Sequence, residues 1–172
     1  MFPSQSNTLK GPTQVKAGVD LTGLEGRLVK LGNSAGILVA LALTSLADIP
    51  THVLVDGGAA GTLVTVQPLV GDEQVRIRIN GTVNPGVALV LEDPVAAAGV
   101  NAGKVRAVPA TAGVHVQVGL AEEIAVDEQL VLVRPCLQLI RVKSADTITG
   151  AADLAALKVA ALAILQAHGL VV

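Results

Sequence analysis

The sequence predicts a mainly β protein, a barrel or sandwich with an extended N-terminal arm and one C-terminal α-helix. Short apolar segments recur between residues 18 and 143, and Gly- and Asn-rich turns separate them. From residue 150 the apolar spacing changes to that of a helix. The 172 residues are 51% hydrophobic with a formal net charge of −2, which is the composition of a folded chain with a substantial core.

Residues 1–17 are predicted to form the arm. The segment is polar, contains Pro3, Gly11 and Pro12, and carries two basic residues, Lys10 and Lys16, without apolar periodicity. Such a segment cannot bury enough apolar surface to offset the entropy of ordering. We therefore expect it to be disordered in the free protein and ordered on a partner.

Residues 18–143 are predicted to form the β-domain. Within it, Val75–Ile79 alternates strictly, which predicts one apolar face and an opposite face with Arg76 and Arg78. Turn residues such as Asn84-Pro85-Gly86 separate the strands. The ten candidate strands span 27–31, 36–41, 52–55, 62–67, 74–79, 87–91, 104–108, 114–118, 129–134 and 137–142.

The β-domain contains an internal echo. Three segments recur in the same order: Gly26–Leu31 as Gly86–Leu91, His52–Val55 as His115–Val118, and Leu63–Pro68 as Leu130–Pro135. The shared order favours two repeated β-units, about 18–70 and 71–143. Chance recurrence of a Val-rich strand pattern is the alternative.

Residues 144–172 are predicted to contain one helix. Strong helix formers fill almost every position from 150 to 168, and Gly169 is a typical residue just after a helix end. The apolar stripe consists of Leu154, Leu157, Ala161, Ile164 and Leu165. Its spacing is that of a coiled-coil seam, so it packs either between protomers or on the protomer's own β-domain; both alternatives stay open.

The composition excludes several classes of partner. Phe2 is the only aromatic residue, and single-strand nucleic-acid binders stack bases on aromatic rings. The near-neutral charge lacks the basic footprint of a phosphate-binding surface, so we expect no nucleic-acid partner, and a glycan site is disfavoured. No signal peptide and no apolar run of about 20 residues is present, which predicts synthesis in the cytoplasm and no membrane partner.

The candidate catalytic residues have simpler interpretations. His52 and His115 open two echoed strands, but no acidic partner follows at ligand spacing. His168 would lie in the last helical turn, where it interacts favourably with the helix dipole. Cys136, the only cysteine, lies in an apolar run typical of a buried thiol. We therefore expect no catalytic residue, metal or cofactor.

One part of the sequence resembles a known family. The run Gly103–Pro135, with Gly119-Leu120-Ala121 followed by Leu130–Val133, resembles the small β-domain of tailed-bacteriophage capsid decoration (cement) proteins. The segment 162–171 is similar to the closing helix of phage head-fibre proteins. The resemblance covers about residues 18–172 and implies a non-enzymatic homotrimer on the outside of the virion capsid.

The function that we predict is therefore a capsid cement protein that binds the lattice of the major capsid protein. The candidate contact residues are Lys10, Lys16, Arg76 and Arg78. The alternative is a glycan- or small-ligand-binding β-module displayed on a particle. A third hypothesis, an enzyme, depends only on the apparent equivalence of His52 and His115.

Overall fold

The computed structural model describes residues 11–95, 99–110 and 113–142, which contain ten β-strands and no α-helix. This confirms the mainly β prediction. The strands are β1 (Thr13–Ala17), β2 (Leu28–Ser34), β3 (Ile37–Ala42), β4 (His52–Asp56), β5 (Leu63–Pro68), β6 (Val75–Arg78), β7 (Ala88–Leu91), β8 (Val105–Ala107), β9 (Gly113–Ala121) and β10 (Leu130–Val142).

Strands β1–β5, which we call the first module, form a closed barrel in the order β1-β3-β2-β4-β5. β1 pairs in parallel with β3 and antiparallel with β5, so it closes the ring. Alternate side chains of each strand fill the interior. The interior residues are Val15, Ala17, Leu21, Val29, Ala40, Leu54, Val64 and Val66.

Strands β6–β10, the second module, repeat this topology. Their order is β6-β10-β9-β7-β8, so that each strand pairs as the strand five places earlier does, except that β6 and β8 are edge strands and do not form the ladder that joins β1 and β3. Ile79, which follows β6, forms a parallel bridge with Val105, the first residue of β8, just as Ala17 pairs with Ala40 in the barrel.

Backbone hydrogen bonds outside the strands repeat as well. The matching pairs are Ala17 N to Thr62 O (2.8 Å) with Ile79 N to Gln129 O (2.9 Å), Gly18 N to Ala40 O with Asn80 N to Val105 O (both 2.8 Å), and Leu21 N to Gly58 O with Val83 N to Ala125 O (both 2.9 Å). We propose that the chain contains a duplicated β-unit, because chance recurrence of a strand pattern would not reproduce these turn contacts. The predicted division near residue 70 falls between β5 and β6.

Two predicted boundaries are wrong. Residues 13–17 do not belong to an arm, because they form β1, and Val15 and Ala17 are buried in the barrel. The strands predicted at 129–134 and 137–142 are one strand, β10, with a register shift between Pro135 and Gln138. Residues 1–10 and the predicted helix at 144–172 lie outside the described residues.

The modules meet along the segment Gly26–Leu28 of the first module. Gly26 O accepts a hydrogen bond from Arg78 N, and Leu28 N donates one to Gly103 O, both at 2.7 Å. This segment therefore binds the backbone of the second module next to the ends of β6 and β8. Leu28, Leu43 and Val53 join the core of the second module, whose members include Ile77, Leu89, Val118 and Val131.

Candidate interaction surface

The two faces of β6 differ as the sequence predicts. Val75 and Ile77 are buried, as is Ile79 just after the strand, while Arg76 and Arg78 lie on the opposite face. Strict alternation over a short segment was sufficient to identify this arrangement.

Arg76 lies at the surface with its side chain 53% exposed. Its guanidinium donates a hydrogen bond of 2.6 Å to Glu123 Oε1, and this bond holds the pKa of the Glu123 carboxyl below its usual value. A second bond, of 3.3 Å, goes to the Leu130 carbonyl. The ion pair fixes Arg76 while leaving much of it accessible to a partner.

Arg78 has a more enclosed position. Nε donates to the Glu25 carbonyl at 3.2 Å, and a terminal guanidinium nitrogen donates to the Glu128 carbonyl at 2.9 Å. Its side chain is 27% exposed. Arg78 thus joins the two modules. Of the two predicted lysine contacts, Lys16 lies exposed on β1, and Lys10 lies outside the described residues.

A buried charge cluster, which the sequence analysis missed, lies near this junction. The side chain of Lys104 is only 1% exposed, and its Nζ donates to Asn101 Oδ1 at 3.0 Å and to Glu128 Oε1. Glu92 is also buried and accepts a hydrogen bond of 2.8 Å from Asn80. Because these buried groups are paired, the cluster belongs to the internal polar network of the fold and does not present a reactive group.

The predicted equivalence of His52 and His115 is wrong. In the first module Val29 pairs with His52, and in the second module the equivalent Leu89 pairs with Gly119. His115 lies further toward the start of β9, opposite Ile140. Burial lowers the pKa of His52, whose Nδ1 lies 2.9 Å from Thr51 Oγ1. The symmetry that suggested an enzyme is therefore not present.

The remaining chemical candidates lie at the surface. Cys136 is exposed, contrary to the expectation of a buried thiol, because it lies in the irregular part of β10 between Pro135 and Gln138. In residues 11–95, 99–110 and 113–142, no three His, Cys, Asp or Glu side chains converge on a point that could hold a metal ion. Over the same residues, no helix is long and apolar enough to cross a membrane.

Two open grooves occupy equivalent places in the modules. The first, of about 360 Å³, lies at the module junction, and its lining includes Glu25, Gly26, Val53, Arg76 and Leu130. The second, of about 480 Å³, is lined by Pro85, Gly86, Leu120, Ala121, Glu122 and Arg134. The strand pairing and the turn hydrogen bonds make three residues of the two grooves equivalent in order. These are Glu25, Gly26 and Val53 in the first groove and Pro85, Gly86 and Leu120 in the second.

No protein-family model and no curated protein matches the chain. Among solved structures, it is similar to the N base of head fiber gp8.5 of bacteriophage phi29. The two share 19% sequence identity with a TM-score of 0.52, and the match covers 73% of this chain and 92% of that chain. The likeness therefore shows a shared fold, and it is to a head-fibre base rather than to a cement protein.

Proposed function

We propose that this chain is a structural protein of a bacteriophage head, without enzymatic activity, that binds the outside of the assembled capsid and stabilises it. The observation that carries the proposal is the similarity of its fold to the phi29 head-fibre base over almost all of that base. The charged but paired surface around Arg76 supports a binding role over a catalytic one.

The proposed mechanism is multivalent binding to the lattice of the major capsid protein. A partner that binds the assembled shell and not its free subunits stabilises the shell by mass action, and many sites on one head multiply the effect. A homotrimer would engage several lattice positions at once. Lys10, Lys16 and Arg76 remain the candidate contacts, and Lys16 and Arg76 are both exposed.

The competing function, binding of a glycan or small ligand, would use the groove at the module junction. That groove offers polar side chains from Gln67, Gln74 and Arg76. It offers no aromatic platform, because Phe2 is the only aromatic residue of the chain. We therefore place the capsid function first.

Co-sedimentation with phage heads assembled without this protein tests the proposal. We expect the full chain to sediment with the heads and to delay their thermal opening. Deletion of residues 1–11, which stops short of β1, should weaken binding about tenfold, a loss of roughly 1.4 kcal/mol, without changing thermal unfolding. Deletion of residues 1–17 removes a barrel strand and should unfold the first module.

Cryo-electron microscopy of heads with and without the protein gives the second readout. Additional density on the outer surface supports the proposal, and full binding by the shorter deletion variant would show that the arm is not a contact. A full chain that neither sediments with heads nor alters their stability would refute the capsid function.

A further inference from the structure

The second module leaves part of one edge of β6 uncovered. On this edge Arg78 N donates to the Gly26 carbonyl at 2.7 Å, but the chain turns away from β6 at this point, where Arg27 N donates to the Leu24 carbonyl at 3.1 Å. The first module has no such gap, because β3 pairs with the equivalent edge of β1. The segment around Gly26 thus binds the edge of β6 at a single residue.

The next backbone groups along this edge, those of Arg76, face outward. Arg76 lies opposite Leu132 of β10, but Leu132 N donates to Glu123 Oε1 and Leu132 O accepts from Glu122 N, both at 2.9 Å. The two strand residues therefore form a non-hydrogen-bonded pair, and the N–H and C=O of Arg76 face away from β10. Among the described residues, no backbone group binds either of them.

The uncovered edge borders the first groove, of about 360 Å³. Gln74, Val75 and Arg76 at the start of β6 line this groove together with Val53 and Val55, which lie on one face of β4. Val55 is 44% exposed, so an apolar side chain placed on it would remove it from water. An unpaired strand edge beside an apolar surface is the arrangement to which an extended strand adds.

Acidic side chains border the same groove. Glu25 lines it and accepts a hydrogen bond of 3.3 Å from Gly57 N, and Glu73 accepts one of 2.8 Å from the side chain of Gln67, another lining residue. Neither carboxylate forms an ion pair with another of the described residues. The groove therefore favours a strand that carries an apolar residue and a basic one.

The chain enters the barrel close to this groove. Thr13, the first residue of β1, pairs with Val66 of β5, and Val66 pairs on its other side with Leu54 of β4, which lines the groove. Two strand spacings, about 10 Å, thus separate Thr13 from β4, and three extended residues of about 3.3 Å each span that distance. The ten residues before Gly11 are long enough to cross β5 and continue along β6.

We propose that the N-terminal arm of this chain, through Thr8, Leu9 and Lys10, adds to the edge of β6 as an antiparallel strand in the free protein. The occupant is the chain's own arm because it starts beside the groove and carries both residue types that the groove favours. Leu9 would cover Val55, and Lys10 would pair with the carboxylate of Glu73. The arm meets β6 at its start and continues toward residue 1, so the two strands run in opposite directions.

The groove changes the expectation for the arm. The arm alone cannot bury enough apolar surface to become ordered, and the groove supplies this surface within the same chain. One short strand at a sheet edge opens locally, so its loss should leave global thermal unfolding nearly unchanged. An arm that binds the capsid lattice would leave the groove. The inference therefore concerns the free protein and does not depend on capsid binding.

Amide hydrogen exchange, measured for each residue by NMR, tests the added strand. We expect Arg76 N–H to be protected in the full chain, and deletion of residues 1–11 should speed its exchange at least tenfold. Ile77 N–H faces β10 and should be unchanged, which makes it the internal control. Val55→Asp should also speed the exchange of Arg76, whereas Ile49→Asp should not, because Ile49 is 64% exposed and lies outside the groove.

The dependence on protein concentration identifies the copy that supplies the arm. Equal protection of Arg76 in dilute and concentrated samples supports the proposal, and protection only at high concentration would show the arm of a second copy and overturn it. Rapid exchange of Arg76 in the full chain, or protection that survives the deletion, would also overturn it and leave the capsid function unaffected. Thermal unfolding checks that each variant is folded, and Lys10→Glu, with the same expected effect, replaces Val55→Asp if the latter is not.

Discussion

Asp48 organises the connection between β3 and β4 with a single carboxylate. Its Oδ1 accepts from Lys30 Nζ at 2.7 Å, and its Oδ2 accepts from the backbone N–H groups of Thr44 and Ser45 at 2.8 and 3.1 Å. The hydrogen bond from Lys30, followed by those of the backbone, holds the pKa of Asp48 below its usual value. One acidic side chain thus holds in place a connection that has no regular secondary structure.

Replacing Asp48 by Asn should lower the free energy of unfolding by about 1–2 kcal/mol, since hydrogen bonds to a charged group are lost. Because the folded pKa is lowered, the carboxylate contributes stability above the usual aspartate pKa and loses it as the pH falls through the folded pKa. Urea unfolding at several pH values should therefore show a shallower acid decline for Asp48→Asn than for the wild type. The exposed Asp56→Asn serves as the control, and an unchanged acid decline in Asp48→Asn would contradict the prediction.

At the scale of the element, the connection between β9 and β10 ends on a strained residue. Glu128 has a φ of +66°, a conformation that favours glycine, and its counterpart in the first module is Gly61 with a φ of +84°. The carboxylate of Glu128 binds the buried ammonium of Lys104. The interaction with Lys104 thus offsets a backbone conformation that costs roughly 1 kcal/mol for a residue with a side chain.

Glu128→Gln should destabilise the protein by about 3 kcal/mol, because it leaves a buried lysine without its charge partner. The double variant Lys104→Met with Glu128→Gly should recover most of that loss, since it removes the buried charge and restores the residue type found at position 61. Chemical denaturation of the two variants measures both effects. Equal destabilisation of the single and double variants would show that the ion pair is not the cause.

Single elements also show how far local sequence determines this fold. Alternation was sufficient for β6, and apolar runs between turns were sufficient for most other strands. β1 was missed because Thr13–Ala17 contains only two apolar residues, and their burial comes from pairing with β3 and β5, which are distant in sequence. Lys104 was missed for a related reason, because one of its partners, Glu128, is far away along the chain.

The candidate surface was predicted only in part, because register is a long-range property. A Val-rich strand pattern can be aligned in several registers. The similar segments that begin at His52 and His115 therefore suggested an equivalence that the strand pairing contradicts.

At the scale of the whole molecule, stability depends on how the second module packs on the first. Gly26→Ala should destabilise the protein by about 2 kcal/mol, because an added methyl at a positive φ meets Cδ2 of Leu130, and this side chain, which is 40% exposed, has to move. Gly86→Ala meets no neighbour among the residues that the structure describes and should cost only about 1 kcal/mol. Urea unfolding of the two variants measures both effects, and equal effects of the two substitutions would contradict the role of Leu130.

Every hydrophobic residue found in the core of the described chain is aliphatic. No tryptophan or tyrosine ring therefore shifts the methyl resonances, and near-ultraviolet circular dichroism lacks the same two residues to report whether packing is native or loosened. Because the chain has no tryptophan or tyrosine, the fluorescence of an introduced tryptophan would be measured without a contribution from other residues of these types. One tryptophan in place of the exposed Leu120 would give a fluorescence signal from the second groove alone, so that burial of this groove by a partner could be followed directly in solution.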